Sequence, residues 1–174
     1  MTFGLELWDL LRPSRRRKAK ASKSAPPPRS RAMQDRYDAL VVEMKQVWGL
    51  KVRKWRSSTS GVAWETHWRD GTISRMIESP YPRGPMSCAI FLHEVGHHAI
   101  GLSSIKPRCL EEKRAWDWAL ATMRERGFNV TDRVIKRRDD ALRYAVAKSI
   151  RRKIRRIPLE MVPWIPPGVR LEPA

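Results

Sequence analysis

The stretch CAIFLHEVGHHAIG, Cys88 to Gly101, sets His93 and His97 four residues apart with Glu94 between them, inside an otherwise apolar run. On a helix, at about 100° per residue, His97 falls about 40° from His93, Glu94 about 100° and His98 about 140°. Two imidazoles one turn apart are the spacing that a zinc ion takes, and the intervening carboxylate is aimed at a water on that ion. Such a carboxylate serves as general base while the ion polarises a carbonyl. Leu92, Val95, Phe91 and Cys88 fill the opposite side of the wheel, so this arc of polar groups belongs to a buried helix and needs partners.

A zinc site of this kind takes a third protein ligand. The extended form of the motif, with Gly three and His six residues after the second His, fails, because Ile100 and Ser103 stand there. The one histidine outside the helix, His67, precedes it on an expected strand. A downstream carboxylate is therefore required, and CLEEKRAWDWALATM offers one. Glu112 lies on the apolar stripe of Ala115, Trp116, Ala119 and Met123, with Lys113, Arg114, Asp117 and Arg124 on the solvent side. An acid in a buried stripe is costly without a cation, so Glu112 is the expected third ligand, with Glu111, on the border of the stripe, as the alternative. Small Ala115 and Ala119 let that helix approach another closely.

HEVGHH followed by this EExxAxxWA run resembles the ImmA/IrrE family of zinc metallopeptidases. The same run is similar to the metallopeptidase-like part of ArdC-type antirestriction proteins. The resemblance covers residues 32–126 and implies a zincin-like fold, one Zn2+ per chain on His93, His97 and Glu112, and Glu94 as the catalytic base. It also implies a protein substrate of the helix-turn-helix repressor kind. The chain carries LATMRERG where such families often have a Leu-Leu-Met-Pro-like end, and it shows no helix-turn-helix of its own.

The elements that would position these residues follow from periodicity. Met33, Tyr37, Leu40, Val41, Met44 and Trp48 recur at helical spacing and Gly49 ends the run. LKVRKW and GVAWETHW read as strands. Asp70-Gly71 is a two-residue hairpin signal into TISRMIE, which pairs Trp68 with Ile73, Trp64 with Ile77 and His67 with Ser74. In that register Val62, Trp64, Thr66 and Trp68 form the apolar side of the hairpin, and the strand Thr72 to Glu78 is the one that would pair with an extended substrate. Helices are expected from Met86 for about 16 residues, from Arg108 to Arg126, and from a Thr131 cap to Ile157. The order is α+β, a small antiparallel or mixed three-stranded sheet packed on helices. His98 and His67 read as structural and surface histidines, Cys109 as a packed thiol, and Tyr81 as a residue within reach of a substrate carbonyl.

The 174 residues suit one domain at 32–157, between a short apolar head with a basic Pro-rich linker (1–31) and a Pro-rich tail (158–174). A net charge of +18 points to an anionic partner. Lys148, Arg151, Arg152, Arg155 and Arg156 form a cationic stripe on the expected last helix, opposite Val146, Ile150, Ile154 and Ile157, so nucleic acid is a candidate partner there. Two cysteines make no disulfide framework, no run approaches a membrane span, and the N-terminal charges follow the apolar residues, the wrong order for a signal peptide. The reading is a cytoplasmic zinc metallopeptidase acting on a specific protein, without a membrane partner. The alternative is a nucleic-acid-binding protein of a phage or mobile element with a structural or vestigial metal site.

Overall fold

The computed structural model describes residues 31–154 and 156–169. The head and linker expected over 1–31 lie outside it save for Arg31, as does Arg155. Helix α1 (Arg31–Trp48) buries Tyr37, Leu40, Val41 and Met44, the stripe its spacing predicts, and stops at Gly49, whose φ of 60° suits a residue without Cβ. Three strands follow, β1 (Leu50–Arg56), β2 (Val62–His67) and β3 (Ile73–Pro80). Then come α2 (Pro85–Ala99), α3 (Arg108–Glu125) and α4 (Asp132–Arg151), and a short 3-10 helix at Leu159–Trp164. No described helix is long and apolar enough to cross a membrane.

The sheet is mixed, in the order β1-β3-β2, with β1 parallel and β2 antiparallel to β3. The strand expected to accept a substrate, β3, is therefore central and hydrogen-bonded on both sides. β1 and β2 are the two edge strands of the sheet.

The hairpin register differs by one residue from the expected one. Trp64 pairs with Met76 rather than Ile77, and His67 with Ile73 rather than Ser74. The cause is the turn. Trp68 N–H donates to Thr72 O at 2.9 Å, which closes a three-residue loop with Gly71 at φ 81°. Asp70 fixes this loop by accepting from the Thr72 N–H and hydroxyl. A shift of one residue exchanges the two faces of a strand. Val62 and Trp68 accordingly face solvent, with Trp64 and Met76 between them, while Ala63 and fully buried Ile77 turn to the helices.

Helix α2 is the centre of the domain, buried on all sides from Cys88 to His98. It lies against β3 on one side and α3 on the other. At the crossing with α3 a Cβ on Gly96 would sit 2.8 Å from Ala115 O, so only glycine permits this separation. Ala115 and Ala119, both fully buried, provide the small surface on the α3 side.

Helix α4 begins as expected, with the Thr131 hydroxyl accepting from Val134 N–H, but ends at Arg151 instead of Ile157. Lys153 N–H bonds Ile150 O, Ile154 N–H bonds Ser149 O, and Lys153 takes φ 60°, a Schellman-type stop built on a lysine. The stretch after it, expected as a Pro-rich tail over 158–174, makes contacts with the domain in its described part, residues 158–169. Met161 is fully buried, Glu160 accepts from Arg114 at 2.8 Å, and Trp164 Nε1–H donates to Asp139 at 3.0 Å.

The tightest packing constraint gives a test. Gly96→Ala gains about 1 kcal/mol in helix propensity but overpacks a backbone contact, at a cost of about 1–3 kcal/mol. Urea unfolding should show net destabilisation with an unchanged m-value. A stabilised variant would mean that α2 and α3 are not held this close.

Candidate metal centre and its cleft

Helix α2 presents His93 and His97 on the face that meets the start of α3, and α3 brings Glu112 to them. Glu112 Oε2 lies 3.3 Å from His93 Nε2 and 3.6 Å from His97 Nε2. One donor atom from each of the three residues lies within 4.8 Å of the other two. Two imidazole nitrogens and one carboxylate oxygen, converging at this separation, make a donor set that can hold a divalent ion with a coordination position to spare. The alternative acid, Glu111, does not point into this group.

Glu111 acts on the far side of His97. Its Oε1 accepts from His97 Nδ1–H at 3.2 Å, from Ser103 N–H at 3.2 Å and from the Arg108 guanidinium at 2.7 Å. With Nδ1–H engaged by Glu111, Nε2 is the nitrogen of His97 left to face Glu112 and to serve an ion, the orientation a metal ligand needs. Glu111 is completely buried whereas Glu112 is open to the cleft, the reverse of the ranking that the helical wheel suggests. The difference arises because the partner of α3 here is a polar helix face, so its buried side is not only its apolar side. Ser103 and Arg108 carry no spacing signal that would single them out. Ser103 adopts φ 62° in the α2–α3 loop, which turns its N–H to Glu111.

His93 is oriented by packing. Its ring stacks on Trp116 with centroids 4.4 Å apart and planes 24° from parallel, and stands edge-on to His97 at 4.7 Å. Burial lowers its pKa against the pull of Glu112. At His97 burial acts downward too, but hydrogen bonds to Glu111 and Glu112 outweigh it and raise the pKa to about 9. Burial alone would raise the pKa of Glu112, yet the two imidazoles hold it well below the ordinary carboxylate range. These groups form a charge-compensated cluster.

Glu94 is a nearly buried carboxylate on the same helix that also lines the cleft. Desolvation pushes its pKa up to about 7, partly offset by His97. Gly61, just before β2, lies directly over it, and any Cβ there would overlap Oε1, Cγ and Cδ of Glu94. The glycine thus makes room for the carboxylate, a role that no motif in the sequence announces.

The remaining sequence candidates lie elsewhere. His98 Nε2–H donates to Met76 O at 3.1 Å, tying α2 to β3. His67 is exposed near Glu65. Tyr81 is not in the cleft; its hydroxyl donates to Asp38 at 2.7 Å and its ring packs edge-on to Trp55. Cys109 is fully buried.

The cleft above the metal group has a volume of about 620 Å³. Its floor is His93, Glu94, His97 and Glu112, one wall is Ser60–Ala63, and the other is α4. Of the cationic stripe expected at the C-terminal end, Lys148 and Arg152 line this cleft. Arg151 instead lies over the exposed ring of Tyr144, 5.8 Å from its centroid. Arg156 follows the end of α4, so the described cations of the stripe do not all share one helical face. No family model, no curated protein and no solved structure matches the chain.

Elemental analysis of the purified chain should find about one divalent ion per molecule, lost in His97→Ala and in Glu112→Ala. Glu111→Gln should keep the ion but weaken its affinity about 10–100-fold in a competition titration, the usual effect of removing a partner behind a ligand.

Proposed function

We propose that the chain is a zinc-dependent peptidase of zincin type that cleaves a specific intracellular protein, a DNA-bound regulator being the leading candidate. The observation that carries this reading is Glu94. A site held by His93, His97 and Glu112 has no structural use for a second cleft acid, yet Glu94 stands buried at the same cleft with a glycine cleared above it. The resemblance of HEVGHH and the EExxA run to ImmA/IrrE peptidases supports the same assignment.

A bound zinc ion supplies acidity to a water and polarisation to the scissile carbonyl. His93, His97 and Glu112 are the residues that would hold it. Glu94 accepts the proton of the attacking water as the new C–O bond forms, and returns it to the amine nitrogen as the C–N bond breaks. Substrate backbone is taken on β2, whose first residues line the cleft and whose outer edge is unpaired among the described strands.

The basic surface favours a second reading, a nucleic-acid-binding protein whose metal site is only structural. DNA binding that survives Glu94→Gln, with no peptide ever cleaved, would support it.

The enzyme reading is tested by incubating the zinc-loaded chain with a proteome-derived peptide pool and identifying new termini by mass spectrometry. Glu94→Gln should retain zinc and lose about 10²–10⁴-fold in rate, the usual contribution of a positioned general base. Gly61→Ala should retain zinc too and lose rate by displacing Glu94. Equal turnover in the Glu94→Gln variant would sink the assignment.

A further inference from the structure

The wall formed by α4 is chemically unlike the floor. Arg137, Ala141, the neighbours Tyr144 and Ala145, Lys148 and the C-cap Arg152 succeed one another along it about one helical turn apart. At 1.5 Å per residue this stripe is roughly 22 Å long, the length of about six or seven residues of extended chain.

The cations that line the cleft are not neutralised alike. Arg108, at the α3 end, is held by Glu111 and Glu112. Arg137 donates to Thr59 O at 3.3 Å, which joins α4 to the β1–β2 loop. Lys148 and Arg152 have no carboxylate partner among the described residues; Lys148 only approaches the Tyr144 ring, 6.0 Å from its centroid. Helix α4 does carry acids, but they are spent away from the cleft. Asp139 is paired with Arg138 and Trp164, and Asp140 with Lys136 and Arg143. Asp139 and Asp140 thus neutralise cations that do not line the cleft, while Lys148 and Arg152 line it without a carboxylate partner among the described residues.

An unpaired cationic pair in a partly apolar cleft selects a ligand of opposite charge. We propose that Lys148 and Arg152 form a specificity site for an acidic side chain, so that the chain takes extended peptides carrying Asp or Glu toward the α4 wall. This deepens the peptidase reading and rests on it for the role of the cleft. A peptide fits better than a nucleic-acid strand because Glu94 and Glu112 form the floor, where a run of phosphates would meet two carboxylates. Ile90, Ala141, Ala145 and Ile154 supply apolar lining that suits side chains.

The experiment separates binding from turnover. Fluorescent eight-residue peptides, identical except for Glu, Gln or Lys at each position in turn, are titrated by anisotropy against the zinc-loaded, full-length Glu94→Gln variant. At one or more positions the Glu peptide should bind at least about tenfold tighter than the Gln peptide. That preference should disappear in Lys148→Ala/Arg152→Ala and reverse toward Lys in Lys148→Glu/Arg152→Glu, with zinc content unchanged. Both residues are exposed, so the substitutions leave the core intact. Acid selectivity without cleavage by the unaltered chain would uphold this site while removing the peptidase reading. Equal binding of Glu and Gln peptides at every position, or selectivity untouched by the double variants, would overturn it. So would a single-stranded oligonucleotide that binds more tightly than every acidic peptide and depends on the same two residues.

Discussion

His97 carries a carboxylate on each of its ring nitrogens, and the site is arranged around that constraint. Glu112 faces Nε2 and Glu111 faces Nδ1, from consecutive positions on α3 whose side chains diverge by about 100°. Both can reach the ring only if α3 passes very close to α2, and the backbone contact between Gly96 and Ala115 is what allows it. A fully buried carboxylate such as Glu111 costs several kcal/mol unless it is compensated. Ser103 N–H, Arg108 and His97 supply that compensation. Fold and site are therefore coupled at one crossing, since the separation that packs the core also sets the spacing of the three candidate ligands.

The parts of this arrangement that were legible in the sequence are those governed by spacing along one helix. The positions of His93, Glu94 and His97 on a single face need only the geometry of α2, and the approach of α3 could be read from Ala115 and Ala119. What was not legible depends on contacts between elements. The wheel of α3 ranked Glu112 as the buried acid because it treated burial as apolar burial, and Glu111 proved the deeper one. The hairpin slipped by a residue because Asp70-Gly71 serves a three-residue loop as readily as a two-residue one. The last helix was drawn too long because Lys153, not a glycine or asparagine, takes the left-handed position that ends it. Gly61 and Gly96 are invisible in advance, for each is required by a neighbour distant in the chain.

Helix α4 links the two themes of charge and access. It packs Val134, Leu142 and Val146 inward and offers its other side to the cleft. The C-terminal segment holds it there, through Trp164 to Asp139 on α4 and Glu160 to Arg114 on α3. These two contacts tie the α4 wall to α3, the helix that brings Glu112 to the floor of the cleft.

The outward face of the hairpin carries a consequence of another kind. Val62 and Trp68 meet water there, with Trp64 and Met76 between them, next to the unpaired edge of β2. Apolar residues beside an open strand edge are what draws two copies of a chain together. Opposing this is the net charge of +18, whose repulsion reaches about 10 Å at 0.1 M salt and shrinks to about 3 Å at 1 M. In colloidal terms the excess of lysine and arginine is a stabiliser of the dispersed state, one whose protection weakens as ionic strength rises.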